Sequence, residues 1–117
     1  MISIVEQQHG DVTRLALQGD LVVEVEKQMA ARSDELVAQG KTRVVLDLAG
    51  IKYVDSSGIG TLVSLFKKMR LLEGDVKLAS LTGQPLQIFR LLRLDRAFEV
   101  YDTPELAIEA FKTAQSR

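Results

Sequence analysis

The sequence predicts an α/β protein: a mixed, mostly parallel sheet of four to five strands, about four helices and an antiparallel hairpin at the N-terminus. Three observations carry this reading. Apolar residues Ile2 and Ile4, then Val12, Leu15 and Leu17, flank the turn signal His9-Gly10-Asp11, as in a hairpin. After Gly19 the hydrophobic spacing alternates between helix and strand forms, which calls for crossovers and parallel neighbours. Finally, Val44-Val45-Leu46-Asp47-Leu48 is apolar at nearly every residue, as expected of a strand covered on both faces in the middle of a sheet.

The remaining elements follow in order. Val22, Val25, Met29, Leu36 and Val37 recur at helical spacing, with Glu24, Glu26, Lys27 and Glu35 on the other side and Gly40 as the expected C-cap. Past the apolar strand and a short turn, Ile59, Leu62, Val63, Phe66 and Met69 form the stripe of a second helix, which Gly74 ends. Val76, Leu78 and Ala79 read as a short strand, Leu86 to Leu92 as a third helix and Phe98 to Tyr101 as an edge strand. Thr103-Pro104-Glu105 opens the last helix with cap and proline in their usual places. There is no internal repeat or linker, so one domain is expected over residues 1–117, with a core over about residues 2–113 and fraying from Ala114 to Arg117.

Composition narrows the function classes. Hydrophobic residues make up 46% and charged residues 26%, and the net charge is −1, which leaves no nucleic-acid footprint. The absence of cysteine excludes a disulfide framework, a thiolate zinc site and a cysteine nucleophile. No apolar run approaches the roughly 18 residues of a membrane span, and the start lacks a basic and then apolar leader pattern. A soluble, cytoplasmic protein without membrane insertion is the expectation.

The segment richest in chemistry is Asp55-Ser56-Ser57-Gly58-Ile59-Gly60, which places two hydroxyls where a helix begins, beyond the carboxyl end of the central strand. First-turn N–H groups lack intrahelical partners and carry partial positive charge, so an anion is favoured there, including one attached covalently. Ser56 is therefore read either as a phosphorylatable serine or merely as the helix N-cap. The preceding Leu21-Val22-Val23 is read either as part of a contact surface beside this turn or as a hydrophobic staple. Two sets of cations, Lys67, Lys68 and Arg70, and Arg90, Arg93 and Arg96, are read either as attracting an acidic partner or as solvated helix faces.

Enzyme signatures are missing. A nucleophile elbow needs glycine two residues to either side of its serine, and Val54 and Asp55 stand before Ser56 and Ser57 at that offset. The one histidine, His9, belongs to the hairpin turn rather than to a serine triad. Gly58-Ile59-Gly60 begins a dinucleotide fingerprint, but Val63 replaces its third glycine and no Walker lysine follows. Asp47 and Asp55 without further ligands read as turn and cap residues, not a metal site, and no cofactor is expected.

From Leu15-Ala16-Leu17-Gln18-Gly19-Asp20-Leu21, through Val44 to Leu48 and Tyr53 to Gly60, to Phe98-Glu99-Val100-Tyr101 and Glu105-Leu106-Ala107, the sequence resembles the bacterial anti-sigma factor antagonists, which are built on the STAS domain. The resemblance implies a single STAS domain, no enzymatic activity and a partner-switching role in transcription. The unphosphorylated protein would capture an anti-sigma factor of the serine kinase type and free the sigma factor. Phosphorylation of Ser56, the serine directly after the aspartate, would release it, and a serine phosphatase would reset it. Asp20, Leu21, Val22, Asp55, Ser56, Ser57, Gly58 and Ile59 are the expected partner contacts.

One departure stands out. Where the family commonly reads G-E-L-D, this chain has Gly19-Asp20-Leu21-Val22, with valine in place of the second acid, which bears on recognition by the kinase. The alternatives are a STAS subunit of another signalling or lipid-transport complex whose serine is never modified, and a small-ligand-binding STAS module.

Overall fold

A computed structural model describes residues 2–115. β1 (Ser3–His9) and β2 (Val12–Leu21) form the hairpin, turned by Gly10 at φ 65°. There follow α1 (Glu26–Ala38), β3 (Arg43–Val54), α2 (Ser56–Leu71), β4 (Asp75–Ala79), α3 (Gly83–Leu91), β5 (Glu99–Tyr101) and α4 (Pro104–Gln115). Short 3₁₀ turns, Val23–Val25 and Leu94–Arg96, precede α1 and β5. The strands lie in the order β1-β2-β3-β4-β5, with β1 antiparallel to β2 and all later pairs parallel, so the apolar run sits in the central strand.

The helices form a layer on each face. Val25, Met29 and Leu36 of the α1 region, Leu62, Leu65 and Met69 of α2 and Phe89 of α3 share one core with Leu15, Leu46 and Leu78 of the sheet. On the other face Ala107, Ile108 and Phe111 of α4 meet Val12, Val45 and Ala79. Thr103 caps α4 as expected, its Oγ1 accepting from Leu106 N–H at 3.2 Å. Of the C-terminal tail expected to fray, Ser116 and Arg117 lie outside the described residues, and α4 runs through Gln115.

β3 departs from its sequence reading. It is 12 residues long and continues through the expected turn to Val54. Only Val44 to Leu48 is buried residue after residue. Beyond it Ala49, Lys52 and Tyr53 are exposed while Ile51 and Val54 stay buried, because α4's cluster takes only Val45 from β3 and leaves the later part of that face open. A register shift near Ala49 bends the strand, and Asp47 Oδ1 takes up the Ala49 N–H at 3.1 Å. The same carboxylate pairs with Arg14 at 2.9 Å, which accounts for a buried acid within an apolar run.

One helix boundary and one helix's buried face differ as well. The left-handed residue after α2 is Glu73, at φ 63°, rather than Gly74. Gly74 is required for a different reason, since a Cβ there would collide with the Thr42 carbonyl. α2 is also rotated from the expected stripe: Leu65 is buried, while Ile59, Val63 and Phe66 are only partly so. The cause is that α2 packs against α1 as well as the sheet, so its buried arc is wider than one stripe.

On the α4 side, buried Lys77 reaches Glu99 at 2.9 Å and Asp75 at 3.4 Å and lies 4.7 Å over the Phe111 ring. Tyr101 donates its O–H to Glu99 at 2.6 Å. Burial, and secondarily this bond, push the Tyr101 hydroxyl up from its ordinary value near 10.0 to about 12, while the bonds from Tyr101 and then Lys77 hold the Glu99 carboxyl below its usual value. A tyrosine whose folded pKa exceeds its unfolded value binds its proton more tightly in the native state. Its stabilisation is therefore complete below about pH 10 and is lost as the pH climbs through the folded value. Thermal midpoints are expected to fall between pH 10 and about 12 more steeply in wild type than in Tyr101→Phe. Absorbance titration at alkaline pH should show the late-ionising tyrosine disappearing in that variant.

Candidate functional site

The chain leaves β3 at Val54, opposite Leu21, the last residue of β2. Asp55 is extended, at φ −100° and ψ −177°, so the helical backbone starts at Ser56. Asp55, not Ser56, is the N-cap: its Oδ1 accepts from Gly58 N–H at 2.8 Å, and its Oδ2 accepts from Val23 N–H at 3.3 Å. This overturns the reading of Ser56 as cap. The signal was available, because aspartate caps as well as serine and stands three residues before the Gly58 donor. Asp55 N–H in turn donates to the Leu21 carbonyl at 3.3 Å.

A second clamp comes from α3. Gln84 Oε1 accepts from Val54 N–H at 2.9 Å, and its Nε2 donates to the Val54 carbonyl at 3.0 Å. β4 pairs with β3 only as far as Asp47, so this side chain acts as a substitute neighbour for β3 beyond the end of β4. The sequence carries no local signal for it, since Gln84 is 30 residues from Val54.

Ser56 is left exposed as the first helical residue, and its hydroxyl makes no hydrogen bond among the described residues. Ser57 is half-buried and borders a groove of about 290 Å³ between α1 and α2, lined also by Ala30, Ser33, Gly60 and Ser64. The structure brings Val22, Asp55, Ser56 and Ser57 to one end of the sheet, with Asp20 exposed beside them and Ile59 half-buried against the core. Leu21 and Gly58 are corrections as direct contacts. Leu21 is 0% exposed inside the core, and Gly58 is buried where a Cβ would collide with the Leu21 carbonyl. Leu21 closes β2 rather than opening the first helix, so its apolar character serves the sheet. The exposed apolar residues here are Val23, at 51%, and Tyr53, at 49%, which lies opposite Asp20 in the β2–β3 register.

His9 pairs with Val12 at the far end of β2, a strand about 30 Å long at 3.3 Å per residue, so it supplies no base to Ser56. Asp47 is engaged by Arg14 and Asp55 by two backbone donors, and among the described residues no three acids or histidines gather as metal ligands.

The mixed five-stranded sheet, layered by helices and displaying a serine where α2 begins, defines a small α/β domain of one recurrent type. The STAS-domain family model matches residues 3–107, and the chain belongs to that family. A protein of Bordetella bronchiseptica named as an anti-sigma factor antagonist, BtrV, is 32% identical over 94 residues, 80% of this chain and 78% of BtrV. The crystal structure of a Thermotoga maritima protein described as an anti-sigma factor antagonist superposes with a TM-score of 0.86 at 25% identity, covering 92% of each chain. SpoIIAA, an anti-sigma factor antagonist and Bacillus cell fate determinant, shares the fold. Its unphosphorylated form gives a TM-score of 0.74 at 18% identity over 94% of this chain and 98% of SpoIIAA, and its phosphorylated form gives 0.72 at 19% over 93% and 99%.

The geometry separates two neighbouring residues experimentally. Asp55→Ala removes the cap and strands two backbone donors, and is expected to cost about 2 kcal/mol. Ser56→Ala removes a hydroxyl with no partner and should stay within about 0.5 kcal/mol of wild type. Gly58→Ala forces α2 off β2 and should cost about 3 kcal/mol. Urea unfolding of the three variants checks all three values.

Proposed function

We propose that this protein is an anti-sigma factor antagonist whose unphosphorylated form captures an anti-sigma factor of the serine kinase type, and that phosphorylation of Ser56 releases it. The observation that carries this reading is the division of labour at the turn. Asp55 does the structural work of the cap while Ser56 stands exposed and unengaged on the first turn of a 16-residue helix. A phosphate added at Ser56 displaces no existing bond, and the helix N-terminus favours its charge. Switching then needs no refolding, in keeping with SpoIIAA, which has this fold in both its unphosphorylated and phosphorylated forms.

The proposed contact surface is Asp20, Val22, Val23 and Tyr53 with Asp55, Ser56, Ser57 and Ile59, while Leu21 and Gly58 support it from beneath. Val22 in place of the family's acid does not weaken the turn, because the adjacent Val23 N–H is held by Asp55. It makes the surface facing the kinase less acidic. The protein has no catalytic step of its own in this scheme, and a serine phosphatase restores the binding form. Among the described residues no helix is long and apolar enough to cross a membrane.

Phosphorylation brings about −1.5 to −2 charges. Opposite an acidic partner group at about 5 Å, with an effective dielectric near 20, that costs on the order of 5–7 kcal/mol, and the single charge of aspartate costs about 3. Screening takes a share of both. The test uses the anti-sigma factor co-purified with Ser56→Ala from the native cell. By calorimetry Ser56→Asp should bind it at least about tenfold more weakly than wild type, with an unchanged thermal midpoint. Ser56→Ala should bind as wild type and resist phosphorylation, while Ser57→Ala should still be phosphorylated. Equal binding by Ser56→Asp, or full phosphorylation of Ser56→Ala, would favour the unmodified STAS subunit instead.

A further inference from the structure

The last turn of α3 and the 3₁₀ turn after it expose Leu91 and Leu92, at 75% and 52%, between Arg90, Arg93 and Arg96. None of these three arginines makes an ion pair or a side-chain hydrogen bond among the described residues, and Asp95 is the one acid in the stretch. The end of α2 makes the contrast. It too carries exposed leucines, but two of its three cations are engaged inside the protein: Lys68 with Asp34 at 3.0 Å, and Arg70 with Asp75 at 3.5 Å and over Phe66 at 5.5 Å. At the end of α3 the three arginine side chains are engaged by no acid among the described residues and Leu91 is largely exposed, and an apolar pair ringed by unpaired cations is the profile of a contact surface.

We propose that Arg90 to Arg96 is a second docking surface, separate from the Ser56 turn, for an acidic helical segment of a protein partner that presents carboxylates beside leucine-sized side chains. All the cations are arginine, whose planar fork matches carboxylates with two parallel bonds and which is enriched at interfaces where lysine is depleted. Three arginines fall short of the roughly four to eight cations of a lipid-binding cluster, which sets a membrane surface aside. The surface lies about 10 Å further along α3 from Gln84, at 1.5 Å per residue, and Gln84 is the residue that clamps Val54 beside the serine turn. The surface itself does not depend on phosphorylation.

The test titrates the isotope-labelled full chain, by NMR, with a synthetic amphipathic peptide bearing glutamates and leucines on one helical face. Controls are the same peptide with lysine for glutamate, and phosphatidylglycerol vesicles. Shifts confined to residues 90–96 are expected with the acidic peptide only. Affinity should fall about tenfold or more in Arg90→Glu/Arg96→Glu and in Leu91→Ser/Leu92→Ser at unchanged thermal midpoints, and stay unchanged in Ser56→Asp. The proposal is overturned by absence of these shifts, equal binding of the lysine peptide, binding of vesicles in place of the acidic peptide, or self-association mapped to Leu91 and Leu92.

Discussion

The first turn of α2 presses directly on the end of β2, with Gly58 against the Leu21 carbonyl. Leu21 is paired in turn with Val54 of the central strand, and Asp55 bonds both Leu21 and the backbone at Val23. β2, β3, the entry to α1 and the start of α2 therefore meet through a few backbone atoms and one carboxylate. Displacing any of them moves the others, so the position of Ser56 is set by the sheet rather than by a loop.

Such a turn is compatible with the charge switch proposed for Ser56. Gln84 fixes Val54 from the α3 side, and Asp55 fixes the cap. The hydroxyl of Ser56 lies outside this network, so the surface can gain charge while its support stays as it is. In that proposal rigid backing matters because repulsion from a partner's acid would fall off with distance, and a side chain free to swing away would lose most of the effect in water.

The opposite face of the sheet obeys a different constraint. α4 covers it only in part, and the charged residues set into it are compensated individually: Asp47 by Arg14 and its own strand's Ala49 N–H, Lys77 by Asp75, Glu99 and the Phe111 ring. Removing one member of either set would leave an uncompensated buried charge, which is costlier than the pair is stabilising. This face is therefore tuned for folding, whereas the carboxyl end of β3 and the end of α3 keep polar groups unengaged.

Much of the fold was legible in the chain because periodicity records burial. The hairpin, the central place of Val44 to Leu48 and the start of α4 at Thr103-Pro104 all follow from local spacing and turn chemistry. The serine turn was legible as a motif, and so was its place at the carboxyl end of a parallel strand. The length of β3, the burial of Leu21, the rotation of α2, the role of Asp55 as cap and the Gln84 clamp were decided by tertiary structure. The physical reason is that each depends on what another element covers or donates: α4 stopping at Val45, β4 stopping opposite Asp47, α1 packing against α2, and the Leu21 carbonyl filling the space a side chain at Gly58 would need.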